Sequence, residues 1–215
     1  MSSMGAGDHR EAASQRGEVR CAVLTISDTR TTANDASGHA IEERLRAAGF
    51  AVVQRALCPD EPEIIRATVS AMCARDEVDA VITTGGTGLT PRDQTCEALA
   101  PLFERRIDGF GELFRMLSWQ QVGAAAMLSR AVAGTICGKA VFALPGAEAA
   151  VRLAVEKLIV PELRHLVWLI HPQTQTQAPP QTKPADTHHH HHHHHHHHGG
   201  HGHGGHGEGG SGPLH

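Results

Sequence analysis

The chain has 215 residues, 40% of them hydrophobic, and a formal net charge of −4 with histidines neutral. A weakly negative balance gives no electrostatic support for nucleic-acid binding, and 3% aromatics with no tyrosine leave few rings for base stacking. No apolar run reaches the roughly 20 residues of a membrane span, and the N-terminus lacks the apolar segment of a secretory signal; a cytoplasmic protein without a membrane or nucleic-acid partner is expected. Cys21, Cys58, Cys73, Cys96 and Cys137 form no C-x-x-C pair, so reduced, buried thiols are expected.

The foldable region is one α/β domain over residues 18–170, long enough for a well-buried core. Residues 1–17 are a polar extension, 171–187 a Pro/Gln/Thr-rich linker and 188–215 a His/Gly-rich tail, all read as disordered. Val19 to Ile26 reads as a first core strand, ended by Ser27-Asp28. Ser37-Gly38 opens a helix to about Ala48, and Phe50 to Leu57 is a second strand. Asp60 to Glu63 starts a helix carrying Ile64, Ile65, Val69 and Met72. Val78 to Thr83 is a third strand. This βαβαβ order predicts a mostly parallel sheet with helices on both faces. Asp93 to Leu102 and a segment around Gly109 to Leu117 read as helices, with Phe110, Phe114 and Leu117 in a core or subunit interface. Ala131–Ile136 and Ala140–Leu144 read as a hairpin at the sheet edge. A long helix then runs to about Leu169, with a kink predicted near Val160 because Pro161 follows it.

The chemistry concentrates at strand ends. Thr83-Thr84-Gly85-Gly86-Thr87-Gly88 follows the third strand, where glycines let a ligand approach the backbone closely and helix-start N–H groups favour an anion. The run is neither G-x-G-x-x-G nor a P-loop. Ser27-Asp28, Pro59-Asp60-Glu61 and Pro145-Gly146 end neighbouring strands, so four polar loops should meet on the rim where open parallel sheets bind ligands. Asp60-x-x-Glu63 and Thr90-x-x-Asp93 also have the spacing of capping boxes, which leaves Asp60 and Asp93 open to a structural role.

Taken in order, Leu24-Thr25-Ile26-Ser27-Asp28, Asp35-Ala36-Ser37-Gly38, Pro59-Asp60-Glu61, Thr83 to Gly88, Arg92-Asp93 and Leu128-Ser129-Arg130 resemble the MoaB/MogA family of molybdenum-cofactor biosynthesis. Gly109 to Ser118 looks like its MoaB branch. The resemblance spans about Glu18 to Leu169. It implies a molybdopterin-binding fold, a homotrimer or homohexamer, and molybdopterin adenylyltransferase activity with ATP and Mg²⁺, the product passing to a molybdate-insertion enzyme. It also implies catalytic roles for Asp60 and Asp93, which would position Mg²⁺ through one or two carboxylates or orient the pterin. Ser27, Asp28, Ser37, Thr83, Thr84, Gly85, Gly86, Thr87, Gly88, Arg92, Ser129, Arg130, Pro145 and Gly146 are the candidate substrate-binding residues. Arg92 and Arg130 could neutralise phosphates, although a lone arginine beside a helix is commonly a solvated charge. One departure stands out: after Leu144-Pro145-Gly146 the chain has Ala147-Glu148, so an anion there must rely on backbone N–H groups. The alternative activity is a catalytically inactive molybdopterin-binding protein with a metal-storing tail.

That tail contains His188, His189, His190, His191, His192, His193, His194, His195, His196, His197 and His198 without a break, then His201, His203 and His206 among glycines. Neutral imidazoles ligate Ni²⁺, Zn²⁺, Co²⁺ and Cu²⁺. A purification tag is the plain alternative; the run's length and irregular Gly/His continuation favour a native metal-binding tail.

Overall fold

The computed structural model of the protein describes residues 17–171. Expectations for the N-terminal extension, the linker beyond His171 and the histidine tail lie outside these residues. In chain order the elements are β1 (Arg20–Ile26), α1 (Ala36–Ala47), β2 (Ala51–Cys58), α2 (Pro62–Cys73), β3 (Ala80–Thr84), α3 (Thr95–Leu99), β4 (Arg105–Arg106), α4 (Asp108–Val122), β5 (Val132–Ile136), β6 (Lys139–Leu144), α5 (Glu148–Ala154) and α6 (Val160–Ile170). They build a six-stranded sheet in the order β2-β1-β3-β6-β5-β4. β1 pairs parallel with β2 and β3, and β3 with β6, while β5 and β4 add antiparallel pairs.

Alternation along the strands divides the core between two faces. Val23 and Ile82 pack with Ile41 and Leu45 of α1, Phe114 of α4, Val151 of α5 and Leu163 of α6. Leu24 and Val81 pack on the other face with Ile65, Val69 and Met72 of α2 and Leu99 of α3. Phe110 meets Phe142 edge to face at 5.3 Å, and Phe110 and Phe114 are buried while Leu117 packs against the same cluster. These aromatics therefore serve the core.

The structure differs from the sequence reading in several places. The helix expected from Asp93 begins at Thr95 and gives way to a 3-10 turn at Ala100–Leu102. The cause is local: the Asp93 carboxylate accepts bonds from the Thr90 N–H and hydroxyl, holding residues 90–93 in a turn. Asp35 rather than Ser37 caps α1, its carboxylate accepting the Gly38 N–H. The β5–β6 hairpin is not the edge, since β6 is internal and the edge is the short β4, where two exposed arginines discourage further pairing. The break before Pro161 takes the form of a π turn at Val155–Ile159. Proline has no N–H to offer and crowds the preceding turn, and a widened turn accommodates both. Four cysteines are buried, but Cys137 is exposed in the β5–β6 turn. Burial pushes the Cys21 and Cys73 thiols up to about 12 and Cys58 to about 11, which makes them poor nucleophiles.

Phe114 is fully buried between the sheet and α4. Phe114→Ala should cost about 3–5 kcal/mol by leaving a cavity, read as a lowered urea midpoint; a change under about 1 kcal/mol would mean that this face does not carry the core.

Candidate functional site

After β1 the chain turns to α1 on one face of the sheet; after β3 it turns to α3 on the other. Adjacent strands whose connections diverge leave a crevice at their C-terminal ends. The loops after β1, β2, β3 and β6 meet there. Thr84 donates its hydroxyl to the Pro145 carbonyl at 2.9 Å, and Gly85 N–H donates to Leu144 O at 3.0 Å. Asp60 N–H donates to Asp28 Oδ1 at 3.0 Å, tying the β2 loop to the β1 loop.

Two glycines make this convergence possible. Gly85 has φ 103°, and a Cβ there would fall on the Ile26 carbonyl oxygen. Gly86 has φ 63°, and a Cβ there would lie 2.5 Å from Asp60 Oδ2 and closer still to the Thr95 hydroxyl. The glycine run is therefore the surface against which Asp60 packs. Gly88 backs onto Asp93 in the same way, a Cβ there lying 2.6 Å from Asp93 Oδ2.

Asp60 is 6% exposed. It does not cap α2: the cap position is Glu61, which makes no side-chain capping bond, and Asp60 Oδ1 instead accepts the Gln94 N–H at 3.4 Å. Burial, with help from the negative charges of Asp93 and Asp28, raises the Asp60 carboxyl above the usual range. Asp93 is partly committed to Thr90 through one oxygen at 2.6 Å, so its half of the capping-box pattern is real, although it shapes a turn rather than a helix start.

The arginines are engaged. Arg92 donates to Asp28 at 2.7 Å and to Glu61 at 2.8 Å, and its hydrogen bond holds the exposed Asp28 carboxyl below its usual range. Arg130 donates to the carbonyls of Thr87 at 2.8 Å and Gly88 at 2.5 Å, reaches Asp93 O at 3.5 Å, and pairs with Glu97. Its guanidinium thus braces the β3 loop from outside. Among the described residues Ser129 makes only a backbone bond, its N–H donating to the Ala126 carbonyl.

Among the remaining candidates, the Thr83 hydroxyl is fully buried without a hydrogen-bond partner among the described residues, and Thr87 is 3% exposed. Ser27 Oγ accepts the N–H groups of Thr29 and Arg30. Ser37, freed from capping, donates to the Gly146 carbonyl at 2.7 Å. Glu148 pairs with Arg152 one turn on, so it does not close over the Pro145–Gly146 turn.

Sequence reasoning missed Asp35 and its cations as an organising group. Asp35 is fully buried and accepts from Thr25 Oγ1 at 2.7 Å, Gly38 N–H at 2.9 Å and Arg55 at 3.0 Å, with Arg30 at 3.6 Å. Burial works to raise this carboxyl; the bonds from Thr25, Gly38 and Arg55 together outweigh it and hold it below the usual range. A carboxylate three residues before a glycine at a helix start was the available signal for the cap, but the arginines arrive from β2 and the β1 loop and leave no local trace. Among the described residues no group of three or more His, Cys, Asp or Glu side chains is placed to hold a metal ion, and no helix is long and apolar enough to cross a membrane.

The same region of the chain is similar to known proteins. Residues 22–165 match a family described as a probable molybdopterin binding domain. Molybdenum cofactor biosynthesis protein B of Bacillus anthracis is 48% identical over 171 residues, covering 79% of this chain and all of that protein. The protein of the same description from Escherichia coli K12 is 47% identical over 145 residues, 67% of this chain and 85% of that one. A crystal structure of a molybdenum cofactor biosynthesis protein B superposes with a TM-score of 0.71 at 49% identity, covering 72% of this chain and 97% of the other. A tungsten cofactor synthesizing protein MoaB from Pyrococcus furiosus superposes at 0.63 and 37% identity, covering 71% of this chain and 96% of the other. With the matched region extending from β1 into α6 and so containing every loop of the crevice, this chain belongs to the molybdopterin-binding domain family of molybdenum cofactor biosynthesis proteins.

Proposed function

We propose that the protein acts in molybdenum cofactor biosynthesis by adenylylating molybdopterin with ATP. The observation that carries this reading is the buried Asp60, held against the Gly86 backbone beside Asp93 and Asp28 where four loops converge. In the reaction, the terminal phosphate oxygen of molybdopterin attacks the α-phosphorus of ATP. A new phosphoanhydride bond forms, the α–β bond breaks, and pyrophosphate leaves with the electron pair.

Asp60 and Asp93 fit Mg²⁺. The Asp60 carboxylate, kept costly to ionise by burial and by like charges, is one whose repulsion a divalent cation relieves, and Mg²⁺ is content with one or two carboxylates and several waters. When bound, Mg²⁺ would neutralise phosphoryl charge and polarise the phosphorus. The chain's own residues do the rest. Gly86 and Gly88 offer backbone that carries no side chain, Arg130 holds that loop by its carbonyls, and Arg92, paired with Asp28 and Glu61, offsets part of the negative field at Asp60. The supply of adenylylated product to a molybdate-insertion enzyme belongs to the same proposal.

Incubation with molybdopterin, ATP and Mg²⁺ should yield adenylylated product and pyrophosphate. Asp60→Asn and Asp93→Asn should each lower the rate about 100-fold or more, as expected when a transition-state charge partner is removed. Absence of product from the wild type would instead favour pterin binding without turnover, and full activity in both variants would remove the aspartates from the chemistry.

The same Asp60→Asn change should raise the thermal midpoint at neutral pH. A carboxyl raised in the folded state stabilises the fold only below its unfolded value of about 3.9 and loses that contribution as pH rises through the folded value. At neutral pH the ionised group is therefore a burden, and asparagine removes it; the advantage should vanish below about pH 4. A lower midpoint for the variant at pH 7 would contradict this.

A homo-oligomer is part of this reading. Leu113, Met116, Trp119 and Val122 leave an apolar stripe exposed along α4, continued by Met127 and Leu128. Such a patch fits a second copy of the chain. Sedimentation should give a trimer or hexamer for the wild type and smaller species for Trp119→Glu; an unchanged size distribution would place the interface elsewhere.

For the tail, we propose binding of Ni²⁺, Zn²⁺, Co²⁺ or Cu²⁺ by its histidines. Isothermal titration should show several metal equivalents on the full chain, lost on deleting His188 to His215 and lost below about pH 6 as imidazoles near pKa 6.5 protonate. Unchanged uptake after deletion would end that proposal.

A further inference from the structure

The crevice has two unlike walls. On the α2 and α3 side stand Asp28, Asp60, Glu61 and Asp93, with Arg92 spent on two of them. On the α1 and α5 side Asp35 is fully buried, and Glu148 is paired with Arg152. Polyphosphate chemistry needs cations as well as a metal, because several phosphoryl charges must be gathered in one place. The two arginines that the sequence offers for this, Arg92 and Arg130, are turned to carboxylates and loop carbonyls. Which group then faces the phosphates?

Arg30 sits on the second wall. Its Nη2 donates to the Gly146 carbonyl at 3.0 Å, the same oxygen that Ser37 binds. Its Nη1 stands 3.6 Å from Asp35, whose charge is already met at 3.0 Å by Arg55 and by hydrogen bonds from Thr25 and Gly38. The side chain is 32% exposed, and among the described residues its one side-chain hydrogen bond is the one to Gly146. A guanidinium carries five N–H donors in a fixed fork. Most of Arg30's are therefore unspent, and its position is pinned from two sides by the Gly146 carbonyl and the buried Asp35. Gly146 in turn lies against Gly85, a Cβ on the former falling 3.4 Å from the Cα of the latter. The fork is thus anchored where the β6 turn meets the glycine loop.

We propose that Arg30 is the phosphate-binding cation of this site, taking the phosphoryl chain of the nucleotide on the Gly146 wall while the aspartates face it from the opposite wall. This rests on the adenylylation reading for the identity of the nucleotide, and the arrangement of the two walls stands apart from it. Charge separates across the crevice: negative groups, which would hold Mg²⁺, on one side, a fixed guanidinium on the other. A phosphate chain lying between them meets both without either arginine on the acidic wall having to leave its carboxylates.

The test is isothermal titration of the full-length protein with sodium pyrophosphate, as a probe of the nucleotide chain, and with inorganic phosphate, as a probe of a phosphomonoester. Arg30→Gln and Arg30→Lys are compared with the wild type, with thermal midpoints recorded to verify folding. Arg30→Gln should weaken pyrophosphate about tenfold or more, the scale of one charged hydrogen-bond partner, with a smaller effect on phosphate. Arg30→Lys, which keeps the charge but cannot span Gly146 and Asp35 together, should recover most of that loss. If Arg30→Gln binds pyrophosphate within about twofold of the wild type, or the wild type does not bind it, the proposal is overturned. If phosphate is weakened more than pyrophosphate, the cation serves the pterin phosphate and the assignment to the nucleotide is overturned. If Arg30→Lys is as weak as Arg30→Gln, the residue is a strap for the Gly146 turn and the proposal again fails. The two readings separate cleanly: Arg30-dependent pyrophosphate binding without adenylylated product leaves this inference standing and removes the enzyme activity, whereas product formation by Arg30→Gln at an unchanged KM for ATP does the reverse.

Discussion

Gly85 passes under the Ile26 carbonyl so closely that no side chain fits between them, and Gly86 lies just as close to the Asp60 carboxylate. This close passage of backbone over neighbouring loops governs the rest of the site. It brings the end of β3 against the end of β1 and sets the glycine loop down beside the start of α2. It also leaves the Pro145–Gly146 turn resting on the same surface. Positive φ angles at both glycines mean that other L-residues would strain the backbone as well as collide. The aspartates are therefore positioned by the absence of side chains beside them, and the burial of Asp60 follows from the same packing.

That burial has an electrostatic cost. Asp60 is raised by desolvation and by two nearby carboxylates, which is an unfavourable arrangement for an empty fold and a favourable one for a site that gathers cations and phosphates. The surrounding charges are sorted accordingly. Arg92 neutralises the exposed acids, Arg130 locks the loop that carries Asp93, and the buried Asp35 gathers Arg55 and Arg30 on the far wall. Core, loops and charges point to the same crevice, which is the consistency expected of a sequence that specifies one functional geometry.

Much of this was legible in the chain. The βαβαβ opening, the parallel pairing it requires and the four loops at one rim follow from apolar runs and loop composition, because buried parallel strands have an unmistakable pattern. The break at Pro161 was legible as well, since proline's missing donor is a local fact. What the pattern hides is set by contacts distant in sequence. Arg92 and Arg130 read as phosphate ligands, yet their partners lie up to 64 residues away at Asp28 and 43 away at Thr87. Asp93 suggests a helix start, yet its bond to Thr90 closes a turn that delays α3. Cys137 reads as one more buried thiol, but the tight β5–β6 turn carries it outward.

The dependence of the proposed chemistry on the glycine contact can be measured directly. Pyrophosphate release from ATP, with molybdopterin and Mg²⁺ present, should be followed for the wild type and for Gly86→Ala at a temperature where both are folded. Release by the wild type and a fall of about 100-fold or more in the variant is the expected result, because a Cβ at that position must displace Asp60 or Thr95. Equal rates in the two proteins would contradict the positioning of Asp60 by the glycine loop.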